Sequence, residues 1–356
     1  MKFTLTEEQG ILRDTLARYM DTSARDTALA DRWQALAELG ALGIGFTEAQ
    51  GGLGGGPREM ALVLEAAGRT RRTEPLIDAM AIPGAALGVA DPERLSDLTG
   101  GARIMAAAFA ETGDPVGVTP TMRINQGRVS GEKALTPGAG SVDAVLISAR
   151  DGDTLVLAEV SEADFAAMAQ PMMDGQGGLR LVLADVPATV IATGEAAQQA
   201  IRAGWRQGLQ AICAQAVGTA TALFDDTLAY VRVREQFGQP IGRFQVIQHR
   251  MADMMIALEE SRSLLDMACH VLDSDGPDAD LLMARTGILD RSMAIGRDAI
   301  QLHGGIGMSE DMPIGRGFRA LKVLQGRFGG EPFHRATLRD LPHFVTNQSG
   351  DFHAAV

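Results

Sequence analysis

The strongest constraint on the fold is a change of hydrophobic period that happens twice. Up to about residue 100, apolar residues recur at helical spacing. In LTEEQGILRDTLARYM a threonine caps the start and acids follow it, and PREMALVLEAAGR opens with proline at a helix start. From about 103 to 193 the pattern becomes short β-branched and apolar runs split by turn formers: RIMAAAFA, MRINQGRVSG, DAVLISARDGDTLVLAEV and LRLVLADVPATVIA. From about 195 long helical stretches return, broken at FGQPIG, at DSDGPDAD and at HGGIG. The expected fold is mainly α with a central β domain: an N-terminal helical domain over 1–102, a small β domain over 103–194, and a helix bundle over 195–356. Three long helices and a shorter fourth make that bundle. Leu209, Ile212, Ala216 and Leu223 form one apolar stripe in it, and Ile247, Met251, Met254 and Leu258 another, for its core and for an oligomer interface.

Glycine beside a helix costs roughly 1 kcal/mol against alanine. The string QLHGGIG at 301–307, with Gly304, Gly305 and Gly307 inside four residues, therefore asks what approaches the backbone there. A nucleic acid is excluded as the answer: a net charge of -13 repels polyanions, and no basic stretch offsets it. The N-terminus carries acids rather than an apolar signal core, and no apolar run reaches about 18 residues, so the chain is expected in the cytoplasm and away from membranes. Cys213 and Cys269 sit in apolar helical segments without a second ligand at metal spacing, which reads as two reduced core thiols and no metal site.

Three long strings, in this order and spacing, resemble the acyl-CoA dehydrogenase family over nearly the whole chain. WQALAELGALGIGFTEAQGGLGGGPREMALVLEAAGR is similar to its N-terminal helical segment with a glycine-rich loop. VREQFGQPIGRFQVIQHRMADM is similar to its R-x-x-F-G-x-x-[IL]-x-x-x-Q segment, and QLHGGIGMSEDMPIGRGFRALK to its Q-x-x-G-G-x-G segment. The resemblance implies a helical domain, a small β-barrel domain and a four-helix bundle. It also implies FAD held across a subunit interface, with the last two segments of one chain reaching the FAD whose ring sits in the neighbour. Arg234 would then place a guanidinium on phosphate, Phe237 an apolar face on adenine or ribose, and Gln301 and Gln245 amide hydrogen bonds. Gly304, Gly305 and Gly307 would bring backbone N–H groups to the pyrophosphate. His303 is expected to pack rather than react.

The same resemblance exposes losses. Where most relatives carry the catalytic glutamate of a Y-E-G string, this chain has Phe328 before Gly329, and the alternative glutamate position falls at Gly208, next to Leu209. In the β domain AFAETGDPVG keeps Glu111 between Ala110 and Thr112, while GEKALTPGAG keeps Gly131, Glu132 and Lys133 but has Leu135 and Pro137 where relatives have the ring's aromatic and threonine contacts. A chain that keeps the cradle it lends and loses the site for its own ring suits pairing with a complete homologous catalytic subunit. It resembles the shorter, degenerate subunits of α2β2 bacterial acyl-CoA dehydrogenases acting on bulky steroid side-chain thioesters, with an electron-transfer flavoprotein or similar acceptor as a further partner. Two alternatives stand beside this reading: a self-sufficient homo-oligomeric enzyme whose base is Glu111, Glu310 or Glu331, and a redox-silent binding or scaffold protein on the same fold.

Overall fold

The computed structural model describes residues 4–22, 27–137, 142–164, 168–309 and 312–340. Five helices come first: α1 (Glu7–Thr22), α2 (Leu29–Glu38), α3 (Pro57–Thr70), α4 (Ile82–Ala90) and α5 (Pro92–Thr99), with a π-helical turn, Ile77–Ala81, feeding α4. The threonine cap is real: Gln9 N donates to Thr6 Oγ1 and Thr6 N to Gln9 Oε1, a reciprocal box at the start of α1. Proline opens α3, and Glu59 reaches back to accept from Gly56 N at 2.9 Å.

Eight strands then form one sheet: β1 (Met105–Ala108), β2 (Arg123–Asn125), β3 (Arg128–Pro137), β4 (Ala144–Asp151), β5 (Thr154–Ser161), β6 (Met168–Pro171), β7 (Gly177–Pro187) and β8 (Thr189–Thr193). The order is β6-β7-β3-β2-β4-β5-β8, with β1 parallel on β4. Gln126 and Gly127, both at positive φ, close the β2–β3 hairpin in the sense that suits strand twist. Along β7, Leu179, Leu181 and Leu183 are buried and Arg180 and Val182 exposed, the alternation of a one-face-in strand.

The remaining chain is helical: α6 (Gly194–Val233), α7 (Gln245–Asp273), α8 (Asp278–His303), α9 (Pro313–Gly326) and α10 (Gly330–Arg339). A two-stranded hairpin, β9 (Glu235–Gln236) with β10 (Gln239–Pro240), fills the FGQPIG break, and Gly304–Met308 form a 3₁₀ turn after α8. The short α10 follows the shorter fourth helix, one more than the sequence pattern suggested, because Pro332 and Glu331 open a new helix after the glycine pair. Gly68 and Gly218 let α3 and α6 touch backbone to backbone. A methyl at the first would sit 2.2 Å from Gln215 O, and at the second 2.0 Å from Glu65 O. Leu209, Ile212, Ala216, Leu223, Met251, Met254 and Leu258 are all buried in the chain's own core, with Ile247 packed against it. The two stripes therefore fill this chain's own core. The apolar groups that α6 and α7 leave uncovered are others: Val233, Val246, Met255 and Ile256.

Candidate functional site

A cleft of about 540 Å³ opens where the sheet, the start of α4, α6 and the α9–α10 turn meet. Phe109, Ala110 and Leu135 line it from the sheet side, Asp78 and Ile82 from the π turn and α4, Trp205 from α6, and Arg327, Phe328 and Gly329 from the turn. Phe328, Gly329 and Gly330 all take positive φ, so the chain reverses sharply behind α9. Arg285, almost fully buried, donates to Gln325 O at 2.7 Å and thereby holds the end of α9.

The acids of the cleft are both committed. Arg327 donates to Asp78 in a buried ion pair; burial pushes the Asp78 carboxyl up to about 6 although Arg327 pulls it down. Glu111 accepts from Lys133 Nζ at 2.6 Å, Thr121 N at 2.6 Å, Thr121 Oγ1 at 2.5 Å and Met122 N at 3.2 Å. Burial alone would raise it, but the Lys133 and Thr121 hydrogen bonds hold it below the usual carboxylate range. With its oxygens so occupied, Glu111 ties β1 to β3 and is not free to take a substrate proton. Glu331 accepts from Gln325 and Arg335 and is not part of the cleft wall. Glu310 lies outside the described residues, and so does the side chain of Pro137. Phe328 and Gly208, far apart in sequence, come together: the Phe328 ring leans on Gly208.

A second cluster forms at the far end of the bundle. The rings of Tyr230 and His303 stack at 4.2 Å, joining the last turns of α6 and α8, and thus the two glycine-bearing segments. His303 is buried with Nδ1 2.8 Å from Ala299 O, a packing residue as expected. Arg234 ends α6 and is exposed. Asp225 and Asp226, two acids of the same helix, are engaged by Arg69 and Arg71. Phe237, at positive φ on the hairpin tip, is 93% exposed, its ring meeting only the edge of Phe244. Gln245 and Gln301 are exposed as well. Gly304 has φ 66 and ψ -148, a conformation open to glycine almost alone. A methyl at Gly304 or Gly305 would meet nothing within 4 Å, whereas one at Gly307 would press on His303 Cβ at 3.0 Å. Gly307 is thus accounted for by packing, and Gly304 and Gly305 by an outward-facing turn.

Among the described residues, the arginines with no hydrogen-bond or ion-pair partner are Arg18, Arg232, Arg234, Arg243, Arg297 and Arg316; all but the first lie on the segments around this turn. The Gly304 N–H is spent on Ile300 O and Gln301 O, but a glycine turn open on its outer side, with unpaired guanidiniums on the segments around it, leaves room for a pyrophosphate. The cleft fits a flavin ring less well: Ala110 offers no hydroxyl, Leu135 no aromatic face, and among the described residues neither cleft carboxylate is free. Asp78, Arg327, Trp205 and Arg285 were not singled out by sequence pattern. Asp78, an acid inside the apolar run of EPLIDAMAIPG, was the available signal. Among the described residues no three His, Cys, Asp or Glu gather as a metal site, and no helix is long and apolar enough to cross a membrane.

Comparison with known proteins agrees with this architecture. Residues 6–81 match the family described as acyl-CoA dehydrogenase, N-terminal domain, and residues 199–339 its C-terminal domain. Acyl-CoA dehydrogenase FadE34 of Mycobacterium tuberculosis is 29% identical over 93% of this chain; the chain spans 47%, about half, of that protein's length. The solved Tcur3481-Tcur3483 steroid ACAD superposes with TM-score 0.81 and 28% identity, covering 94% of this chain and 96% of that one. A glutaryl-CoA dehydrogenase from Mycobacterium smegmatis, solved in complex with FADH2, shares the fold at TM-score 0.80 and 17% identity over 94% of each chain. With both family domains covering more than half of its length and the fold shared throughout, this chain belongs to the acyl-CoA dehydrogenase family.

Proposed function

We propose that this chain is a subunit of an FAD-dependent acyl-CoA dehydrogenase that forms α,β-unsaturated acyl-CoA, lending the ADP-binding half-site to a homologous catalytic partner. The observation that carries this reading is the contrast between the two clusters. The Arg234 guanidinium, the Phe237 ring, the Gln301 side chain and the open side of the Gly304–Gly305 turn face solvent, while Phe328 fills the space over Gly208 and both described cleft acids are tied in ion pairs. When bound, FAD supplies the acceptor for the hydride leaving the β-carbon. In this chain Arg234 would hold charge on phosphate, the open Gly304–Gly305 turn would let the pyrophosphate come close to the backbone, and Phe237 would cover an apolar face. The α-proton goes to a glutamate of the partner chain, since among the described residues both carboxylates on the cleft wall are held in ion pairs. In this reading residues 1–102, 103–194 and 195–356 are three units of one scaffold, and the exposed Val233, Val246, Ile256 and Met308 are covered in an α2β2 assembly. The likeness to a steroid ACAD supports a bulky steroid-derived thioester as substrate, with an electron-transfer flavoprotein or similar acceptor. Co-expression with the homologous partner tests it: the complex should carry flavin, and Arg234→Ala should lose it while the chain stays folded. Unchanged flavin in that variant rejects the half-site.

A further inference from the structure

The chain's own cleft is built for something other than the reaction. We propose that it binds an uncharged, largely apolar molecule carrying one hydrogen-bond acceptor, and holds it without reacting. Its volume of about 540 Å³ falls inside the range of about 300–1,000 Å³ typical of small-molecule sites. Ile82, Phe109, Val116, Leu135, Trp205 and Phe328 make its walls apolar. Each buried charge on it already has a counter-charge: Asp78 has Arg327, and Glu111 has Lys133. The one further cation, Lys322, is exposed at the rim and bonded to Gln325 Oε1. A charged ligand would therefore shed its hydration without finding a new partner, so the site selects neutral molecules.

One donor remains. Arg327 is 8% exposed and gives Nη2 to Asp78, yet its Nε and Nη1 have no hydrogen-bond partner among the described residues and neither is among the sealed, unpartnered atoms. Those N–H groups, on a residue that lines the cleft, can donate to a carbonyl or ether oxygen. The groups that could attack it are turned elsewhere: Thr136 Oγ1 bends back toward Ala134 O, Lys322 Nζ is bonded to Gln325 Oε1 at the rim, and among the described residues no thiol or free carboxylate is on the wall. This inference concerns the chain's own cleft and needs neither FAD nor a partner.

The chain has two tryptophans, of which Trp33 is fully buried in α2 and Trp205 stands in the cleft wall. In a Trp33→Phe background, the full chain is titrated with 2-nonanone and with nonanoate at neutral pH while Trp205 emission is followed. The ketone should give a saturable shift, and nonanoate should bind at least about tenfold more weakly, the discrimination of one uncompensated charge. Leu135→Glu, at a half-exposed rim position that tolerates a charge, should weaken the ketone about tenfold. The paired Asp78→Leu, Arg327→Met change removes the donor without stranding a charge and should do the same. No saturable response, nonanoate binding as tightly as the ketone, or full affinity in Leu135→Glu each overturns the proposal. Ketone binding in a chain whose Arg234→Ala variant keeps all its complex's flavin would instead count against the half-site and leave this site standing.

Discussion

The ring of Phe328 lies against Gly208 so closely that a methyl group on residue 208 would sit 2.7 Å from its Cζ, with Ile82 Cγ1 only 3.0 Å away. These are the two positions at which the family resemblance places a catalytic glutamate. One side chain occupies the room the other leaves empty, so the two losses form a single packing unit. Phe328 does this from positive φ, a conformation phenylalanine rarely adopts and that the surrounding turn imposes.

Gly208→Ala should therefore overpack the site and destabilise the chain by about 1–3 kcal/mol. In a Phe328→Ala background the same change should cost far less, giving a coupling of about 0.5–3 kcal/mol by urea denaturation. Additive costs would show that the two residues do not share the space. Phe328→Glu alone should give no dehydrogenation by this chain, since Ala110 and Leu135 stand where the resemblance places the ring's own hydroxyl and aromatic contacts.

Lys133→Met should leave Glu111 buried and unpaired and cost about 3–5 kcal/mol. Replacing both residues by apolar ones should cost clearly less. A Glu111→Gln variant that folds as stably as the parent but abolishes turnover of the complex would mark Glu111 as a base rather than a tie between strands.

The architecture was legible because period is a local property: the change from helical to strand spacing near 103, and back near 195, needs no tertiary information. The turn at HGGIG and the hairpin at FGQPIG were legible for the same reason, as glycines interrupting long periodic helices. The cleft was not. Asp78 and Arg327 lie far apart in sequence, and an acid inside the apolar run of EPLIDAMAIPG reads as surface until the fold brings an arginine to it. The stripes Leu209–Leu223 and Ile247–Leu258 were visible as apolar faces, but sequence cannot say whether such a face turns to its own core or to another chain. Gly307 looked like Gly304 and Gly305, and only its nearness to His303 separates them.

His334 supplies a pH prediction. It is fully buried with both ring nitrogens unpartnered, and burial, with Arg285 nearby, holds it down to about 4 from an ordinary 6.5. As pH falls from 6.5 toward 4, the unfolded chain takes a proton there that the folded chain refuses, so stability is lost on acidification, by up to about 3 kcal/mol. Asp78, with its raised carboxyl, works in the opposite sense over an overlapping window. The comparison of parent with His334→Phe isolates the histidine: the variant's urea midpoint should fall less between pH 7 and pH 4.5. Equal falls would contradict the assignment.

Gly304 and Gly305 should respond differently to substitution. Gly304→Ala strains a backbone at φ 66 and should cost about 1–3 kcal/mol in the isolated chain. Gly305→Val meets open space and should leave the isolated chain's stability nearly unchanged. In the assembled complex Gly305→Val should nonetheless lower flavin content, because the bulk stands where the pyrophosphate approaches. Full flavin retention would place the cofactor elsewhere.

The central claim is that this chain lends one half of a flavin site and lacks the other. It is tested most directly by counting FAD per protein mass in the purified complex with the homologous partner and assaying that complex after mutating the partner's glutamate. The account predicts one FAD per heterodimer, two per α2β2 tetramer, and loss of dehydrogenation with the partner's base. Two FAD per heterodimer, or turnover that survives loss of the partner's glutamate, would mean that the cleft over Phe328 runs a reaction of its own.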